Sequence, residues 1–199
     1  MLETRPRLLN LLHSLGLASP VTQTNDAELE CLRRHASGRR TAVEIGTFQG
    51  VSARVIADSL SPGGVLYCVD PWPSVAGRES PVYSIARRHL AQPRSGVRIA
   101  FLRLFSRDAA EALPSSIDFA FIDGDHSYEG LAADWDLIAG RVREGGVVCL
   151  HDTTVPAAEP ERTHGSVKYF EDVIRVDRRY AHVETVHSLN ALRRCGPDP

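Results

Sequence analysis

Apolar runs bounded by glycine, proline, aspartate or serine recur along most of the chain, and such runs predict buried strands. They cover residues 41–45, 65–69, 97–102, 117–122, 147–150, 181–186 and 189–193. Between them, apolar positions with helical spacing predict helices over 51–60, 81–91, 107–113, 129–139 and 165–174. Strands and helices that alternate in this way are typical of parallel βαβ units, so the pattern predicts one doubly wound α/β sheet.

Two further helices are predicted before the first strand. Leucines on one face indicate a short helix over residues 8–15, and Asn25 is a credible N-cap for a helix that continues to about residue 35. The chain has 199 residues and contains no internal repeat or interdomain linker. We therefore expect a single domain over 1–199, with an N-terminal helical segment at 1–37 and a core at 38–195.

Composition then narrows the class of protein. The formal net charge of -2 gives no basic surface for nucleic acid or a membrane. No apolar run is long enough to span a bilayer, and the first residues lack the features of a signal peptide, so a cytoplasmic location is expected. The four cysteines form no Cys-x-x-Cys pair, which argues against a disulfide framework or structural zinc.

Acidic residues follow two of the predicted strands. If these strands are parallel neighbours, the carboxylates of Asp123 and Asp152 emerge at one sheet edge, roughly 5 Å apart. His126 lies on the turn beside them, at the edge where open α/β sheets bind ligands. The group predicts a catalytic site, and its carboxylate oxygens favour Mg²⁺ over zinc. His151 precedes Asp152, so strand alternation predicts that it points to the opposite face and has a structural role.

A glycine-containing turn follows the first strand, in the segment Glu44-Ile-Gly46-Thr-Phe-Gln-Gly50. The glycines allow the backbone to approach a ligand at a helix N-terminus, although an ordinary turn would look the same. The spacing is not that of a dinucleotide fingerprint. Asp70 ends the second strand, where a carboxylate can accept both hydroxyls of a ribose. Ser106 is predicted to cap the next helix or to border an adenine.

Four segments together resemble a known family. They are Val43-Glu-Ile-Gly-Thr, Tyr67-Cys-Val-Asp-Pro-Trp72, Phe121-Ile-Asp-Gly-Asp-His-Ser-Tyr-Glu129 and Gly146-Val-Val-Cys-Leu-His-Asp-Thr153. The chain is similar here to class I S-adenosylmethionine-dependent methyltransferases, in the small bacterial subgroup related to macrolide sugar and other natural-product O-methyltransferases. The resemblance covers roughly residues 20 to 190, and the acid–histidine segments are its most specific part.

The resemblance implies a fold, two cofactors and a set of site residues. It implies a mostly parallel seven-stranded sheet whose last strand is antiparallel, with the methyl donor above the first strand ends. The residues that it places against the donor are Glu44, Gly46, Thr47, Gly50, Asp70, Ser106 and Asp123. It also implies a magnesium-like ion at Asp123 and Asp152, and a general base at His126. Thr153 takes the place of a second acid or asparagine in metal-dependent relatives, and is a poorer ligand.

The acceptor is the least determined part of the site. Loops at 71–77 and 153–163 are expected to shape its pocket, and Trp72 packs either against a ligand or within its loop. Sugar hydroxyls, phenols and carboxylates all remain candidates for this small-molecule partner. The alternatives are a metal-independent O- or N-methyltransferase and a hydroxylase-like or nucleoside-binding relative, and homo-oligomer formation is also left open.

Overall fold

The computed structural model describes residues 19–94, 96–158 and 164–196. Its strands are β1 (Thr41–Ile45), β2 (Val65–Val69), β3 (Arg98–Leu102), β4 (Ile117–Ile122), β5 (Val142–Leu150), β6 (Tyr180–Val186) and β7 (Leu189–Arg194). The α-helices are α1 (Asp26–Ala36), α2 (Val51–Ser59), α3 (Pro81–His89), α4 (Tyr128–Ile138) and α5 (Gly165–Tyr169). A 3₁₀ turn covers Ser106–Asp108, and a π-helical turn over Phe170–Ile174 continues α5.

All seven strands belong to one sheet, in the order β3-β2-β1-β4-β5-β7-β6. The first five strands pair in parallel, and β7 runs antiparallel to both of its neighbours. This confirms the doubly wound α/β fold and the antiparallel last strand. The order reverses between β1 and β4, which makes the carboxyl ends of these two strands the topological switch point where such sheets bind ligands.

Helices bury both faces of the sheet. One apolar cluster joins α1, α2 and α3 to the sheet through residues such as Leu32, Ile56 and Ala86. The other joins α4 and the segment 165–174 to the opposite face through Trp135, Tyr169 and similar residues. Asn25 caps α1 as predicted, since its side chain accepts from the Glu28 N–H and the Glu28 carboxylate accepts from the Asn25 N–H. In the described ranges, no helix has the length and apolar character that crossing a membrane requires.

Two predicted elements differ in length from the structure. The helix expected over 107–113 is only the short 3₁₀ turn, because Pro114 disfavours helical backbone at the preceding residue and leaves too few residues for a stable α-helix. The strand expected from residue 147 begins at Val142, and a register shift opposite β4 accommodates its longer first half. The helix predicted over 8–15 lies outside the described residues.

Candidate functional site

The register of the central strands brings the predicted site residues to one edge. Ile45 pairs with both Val69 and Ile122, and Ile122 pairs with Leu150. A cavity of about 450 Å³ opens at this edge. Among the predicted residues, those that line it are Gly46, Thr47, Gly50, Asp70, Ser106, Asp123 and His126.

The turn after β1 requires glycine at its first position. Gly46 has a φ of +86°, and a Cβ there would lie 2.0 Å from the carbonyl oxygen of Asp123. Gly50 caps α2 with a φ of +83°, and its backbone faces the Leu90 side chain. Both glycines therefore serve backbone geometry that other residues adopt only with strain. The result is a bare turn that forms one wall of the cavity.

Asp70 fixes the turn from the end of β2. One of its carboxylate oxygens accepts the Phe48 N–H at 2.9 Å, and the other accepts the Trp72 N–H at 2.8 Å. Burial raises the pKa of this carboxyl, and the two N–H donors oppose that rise. Each carboxylate oxygen has a further lone pair, so the group can still accept ligand hydroxyls.

Glu44 lies outside the cavity wall, fully buried in β1. Its carboxylate oxygens have no well-formed hydrogen bond to the described residues, although the hydroxyls of Ser52 and Thr47 lie close enough to favour the charged form. Burial raises the pKa of Glu44 to about 8. Glu44 therefore lies beneath the turn and does not contribute to the cavity wall.

Ser106 does not cap a helix. It is the first residue of the 3₁₀ turn, whose N-cap position is Phe105, and its hydroxyl interacts instead with Asp134. Burial raises the pKa of Asp134 to about 6, against the effect of the Ser106 hydroxyl. Asp134 lines the cavity and was not predicted as a site residue. Its signal in the sequence was an acid next to Trp135 on the buried face of α4.

His126 lies between the two predicted acids. Its Nε2 is 3.2 Å from the Asp123 Oδ1, and its Nδ1 is 3.2 Å from the Asp152 Oδ2. The hydrogen bond with Asp123 raises the pKa of His126, and the charge of Asp152 adds to the effect. The structure thus brings together the three residues that the sequence placed at neighbouring strand ends.

His151 joins this cluster, and the prediction that it points away was wrong. Because Ile122 pairs with Leu150, the next residues, Asp123 and His151, lie side by side. The His151 Nδ1 is 3.1 Å from the Asp123 Oδ1 and 3.7 Å from the Asp152 Oδ2. Strand alternation fails here because β5 ends at Leu150, and Asp152 turns the chain with a φ of +49°.

Glu28 of α1 completes the network from the other side of His151, and nothing in the sequence placed it there. Its Oε2 lies 3.3 Å from the His151 Nε2, and its Oε1 accepts from the Ser188 N–H and hydroxyl. Burial alone would raise the pKa of Glu28, but the hydrogen bond with His151 outweighs burial and lowers this pKa to about 2. Burial also works against charge on His151, but hydrogen bonds with Asp123 and Glu28 raise its pKa to about 10.

The start of α5 braces the acid–histidine cluster. The Ser166 N–H donates to the His126 carbonyl at 2.9 Å, and its hydroxyl donates to the Asp152 carbonyl at 2.6 Å. A Cβ on Gly165 would lie 2.3 Å from the Tyr128 nitrogen, so only glycine allows this approach. His164, just before the helix, places its Nε2 3.6 Å from the Asp152 Oδ2.

The side chains at this site do not fit a magnesium ion as they stand. The Thr153 hydroxyl is buried, donates to the Leu150 carbonyl and accepts from the Asn190 amide. Imidazole nitrogens of His126 and His151 occupy the positions facing the acidic oxygens, and Mg²⁺ needs those oxygens itself. The rings of His126 and His151 lie between the two acids and separate their carboxylates.

Trp72 is buried between its loop, α3 and β3. Its indole N–H donates to the Phe48 carbonyl at 2.8 Å, and its ring packs against Tyr83 and Phe101. Of the two alternatives for this residue, the structure supports loop packing. The loop that it anchors supplies Pro71 to the cavity wall, while residues 159–163 of the other predicted acceptor loop lie outside the described part of the chain.

A family model described as a methyltransferase domain matches residues 43–153, from β1 to the turn after β5. The chain therefore belongs to this methyltransferase-domain family, and its sheet is that of the class I S-adenosylmethionine-dependent methyltransferases. An uncharacterized protein of Acanthamoeba polyphaga mimivirus is 30% identical over 117 residues, which are 56% of this chain and 51% of that protein. The chain thus spans about half of that relative's length.

Solved structures share the fold at low sequence identity. An O-methyltransferase from Bacillus cereus in complex with S-adenosylhomocysteine is 20% identical, with a TM-score of 0.61 over 96% of this chain and 91% of that one. A putative rRNA methylase from Clostridium thermocellum is 8% identical, with a TM-score of 0.62 over 88% of this chain and 100% of that one. These likenesses concern the fold alone.

Proposed function

We propose that this protein transfers the methyl group of S-adenosylmethionine to a hydroxyl oxygen of a small molecule. The observation that carries the proposal is the shared wall of the cavity: Asp123 and His126 line the same space as the Gly46–Gly50 turn and Asp70. A donor bound against the turn would have its sulfonium methyl group close to His126, which can accept a proton. The B. cereus O-methyltransferase in complex with S-adenosylhomocysteine supports this reading of the fold.

The donor half of the cavity has the chemistry that an adenosyl group requires. Asp70 offers carboxylate lone pairs to ribose hydroxyls, and the backbone of the glycine turn leaves room for the amino acid portion. Phe48, Leu104 and Phe105 line the same cavity and remain half-exposed, so they offer apolar surface for a purine ring. Covering such surface with a flat ligand is favourable because it removes apolar area from water.

His126 is the proposed general base. Asp123 lines the cavity and Asp152 does not, so the Nε2 side of the ring faces the ligand space. When an acceptor hydroxyl replaces the Asp123 contact, Nε2 can take its proton while Asp152 keeps Nδ1 oriented, as in other histidine–carboxylate pairs. The oxygen then attacks the sulfonium methyl carbon, the carbon–sulfur bond breaks, and its electron pair stays on a neutral thioether.

The proposed mechanism uses no metal ion, because imidazole nitrogens face the carboxylate oxygens that would bind one. The orientation supplied by the cavity and the proton transfer to His126 together account for the chemistry. A small-molecule acceptor is favoured over RNA, because the chain has 23 basic and 25 acidic residues and no surplus of positive charge for a phosphate backbone.

Calorimetry with S-adenosylhomocysteine in the presence of EDTA tests the donor site, and we expect saturable binding at one site per chain. Transfer of a labelled methyl group to a panel of sugars, phenols and carboxylates then identifies the acceptor. Labelling of hydroxyl compounds that EDTA does not diminish supports the proposal. Absence of donor binding would point to another ligand for this fold, and turnover restored only by Mg²⁺ would replace the metal-free mechanism.

A further inference from the structure

A second group of potential ligands lies away from the cavity, where α1 packs against β6. It consists of Cys31 and His35 on α1 and Glu184 on β6. The His35 Nε2 is 2.8 Å from the Glu184 Oε1, and the Cys31 Sγ is 3.8 Å from the same oxygen. The three ligand atoms lie within 4.8 Å of one another. The proposed methyl transfer uses none of these residues.

The spacing on the helix explains why the first two ligands meet. Cys31 and His35 are four positions apart, so their side chains lie one above the other on the same face of α1. That face is turned toward the sheet, where β6 carries Glu184 next to the antiparallel β7. A Cys-x-x-Cys pattern does not reveal this arrangement, because its third ligand is 149 residues after the second.

We infer that Cys31, His35 and Glu184 form a binding site for a zinc-class divalent ion, with a water molecule in the fourth position. Thiolate, imidazole and carboxylate are the three ligand types of protein zinc sites. Tetrahedral bonds of about 2.0–2.3 Å require ligand atoms about 3.4–3.6 Å apart. The observed separations of 2.8 and 3.8 Å bracket that range, so small side-chain movements suffice.

A neighbouring side chain orients one of the proposed ligands. Arg34 donates to both oxygens of Glu184, to Oε1 at 3.0 Å and to Oε2 at 2.9 Å, and so fixes the carboxylate beside Cys31 and His35. Outer contacts of this kind orient ligands in metal sites. Glu184 is about one-third exposed, which leaves a path for the ion and for water.

Absorption spectroscopy with Co²⁺ can separate this site from the acid–histidine cluster at the cavity. A cysteine thiolate bound to Co²⁺ gives a charge-transfer band, and the described cluster around His126 contains no thiol. We expect the full-length protein to show this band, saturating at one equivalent, and Zn²⁺ to abolish it by competition. Mg²⁺ should not compete, because it does not favour sulfur ligands.

Variants assign the band to the proposed residues. Cys31→Ser should lose it, and His35→Gln and Glu184→Gln should shift saturation to higher Co²⁺ concentrations. Cys195→Ser and Glu30→Gln, on exposed residues, serve as matched controls and should leave the titration unchanged. If Cys31→Ser does not fold, the titrations of His35→Gln and Glu184→Gln still decide the outcome. A missing band in the wild type, or titrations of His35→Gln and Glu184→Gln that match the wild type, would overturn the inference and leave only an ion-pair network between α1 and β6.

Discussion

Gly46 and Asp123 approach so closely that the α-carbon of one faces the carbonyl oxygen of the other, with room for a hydrogen atom and nothing larger. A Cβ on Gly46 would lie 2.0 Å from that oxygen. The contact joins the turn after β1 to the first residue after β4, so the donor wall and the acid–histidine cluster share one piece of backbone. Movement of either strand end alters both parts of the site.

Gly46→Ala is therefore expected to destabilise the protein severely. The substitution combines left-handed backbone strain of about 1–2 kcal/mol with a backbone clash that only strand movement can relieve. Urea unfolding of the variant should show a loss of unfolding free energy well above the cost of the backbone strain alone. Gly63→Ala is the matched control, because Gly63 has a φ of +74° and open space around it. Equal losses for the two variants would show that the contact with Asp123 is unimportant.

Asp70→Ala should weaken S-adenosylhomocysteine binding. The change removes the proposed acceptor for the ribose hydroxyls and the partner of the Phe48 N–H. Hydrogen bonds to charged groups contribute about 1.5–3 kcal/mol, so calorimetry should record a loss of roughly tenfold or more in affinity. Asp108→Ala, which removes an exposed acid from the 3₁₀ turn, is the control and should bind normally. Normal binding by Asp70→Ala would remove this residue from the donor site.

His126→Ala should abolish most methyl transfer and leave donor affinity nearly intact. Losing a general base typically costs about 10²–10⁴ in rate. Single-turnover rates with saturating donor provide the measurement, and a folded variant that retains the wild-type rate would refute the base assignment. In that case Asp125, whose Oδ1 accepts the Ser127 N–H on the same turn, would be the next candidate.

Asp152→Asn should shift the pH profile of methyl transfer to lower pH. Contact with Asp123 and the charge of Asp152 hold the pKa of His126 above 6.5, and only neutral imidazole accepts a proton. The wild-type rate should therefore rise with pH through a pKa above that value, and removal of one charge should move the rise downward. Asparagine tolerates the positive φ of this position, so the fold should survive. An unshifted profile would show that another group controls the rate.

Glu28→Gln should remove a stabilisation that depends on pH. The folded-state pKa of Glu28 is about 2, below the ordinary 4.5, so its contribution is present above pH 4.5 and lost as pH falls through 2. The shift corresponds to about 3 kcal/mol at neutral pH, to order of magnitude. As the pH falls from 7 to 2, the free energy of unfolding should decrease more steeply for the wild type than for Glu28→Gln. Glu30→Gln on the exposed face of α1 should behave as the wild type.

The sequence predicted the strands well because each is a buried apolar run with breaking residues at its ends, and burial decides strand positions in such a sheet. It placed Asp123, His126 and Asp152 together because strand ends of parallel neighbours must meet. Strand alternation predicted the wrong orientation for His151, because the register with β4 decides which side chains meet where β5 ends. The sequence also missed Glu28 and Asp134, since both reach the site from helices whose docking depends on the whole fold.

The π-helical turn at Phe170–Ile174 could likewise not be predicted from the local hydrophobic pattern. The segment was predicted as a continuous helix, and the structure widens its second half, where Phe170 and Ile174 are buried in the same apolar cluster as Trp135 of α4. Such single turns arise where packing requires a change of helical phase. Nothing in a hydrophobic pattern of this length distinguishes the two helix types.

The place of β7 between β5 and β6 has a consequence for how the chain folds during synthesis. The outer edge of β5 has no partner until β7 has been made, and β6, which is made earlier, cannot attach to the sheet without β7. β6 can therefore join the sheet only together with β7 or after it, and until β7 pairs with β5 an unpaired edge is open to aggregation. Ser188 in the hairpin turn donates to Glu28, so the nascent chain acquires its complete acid–histidine network only at this late step.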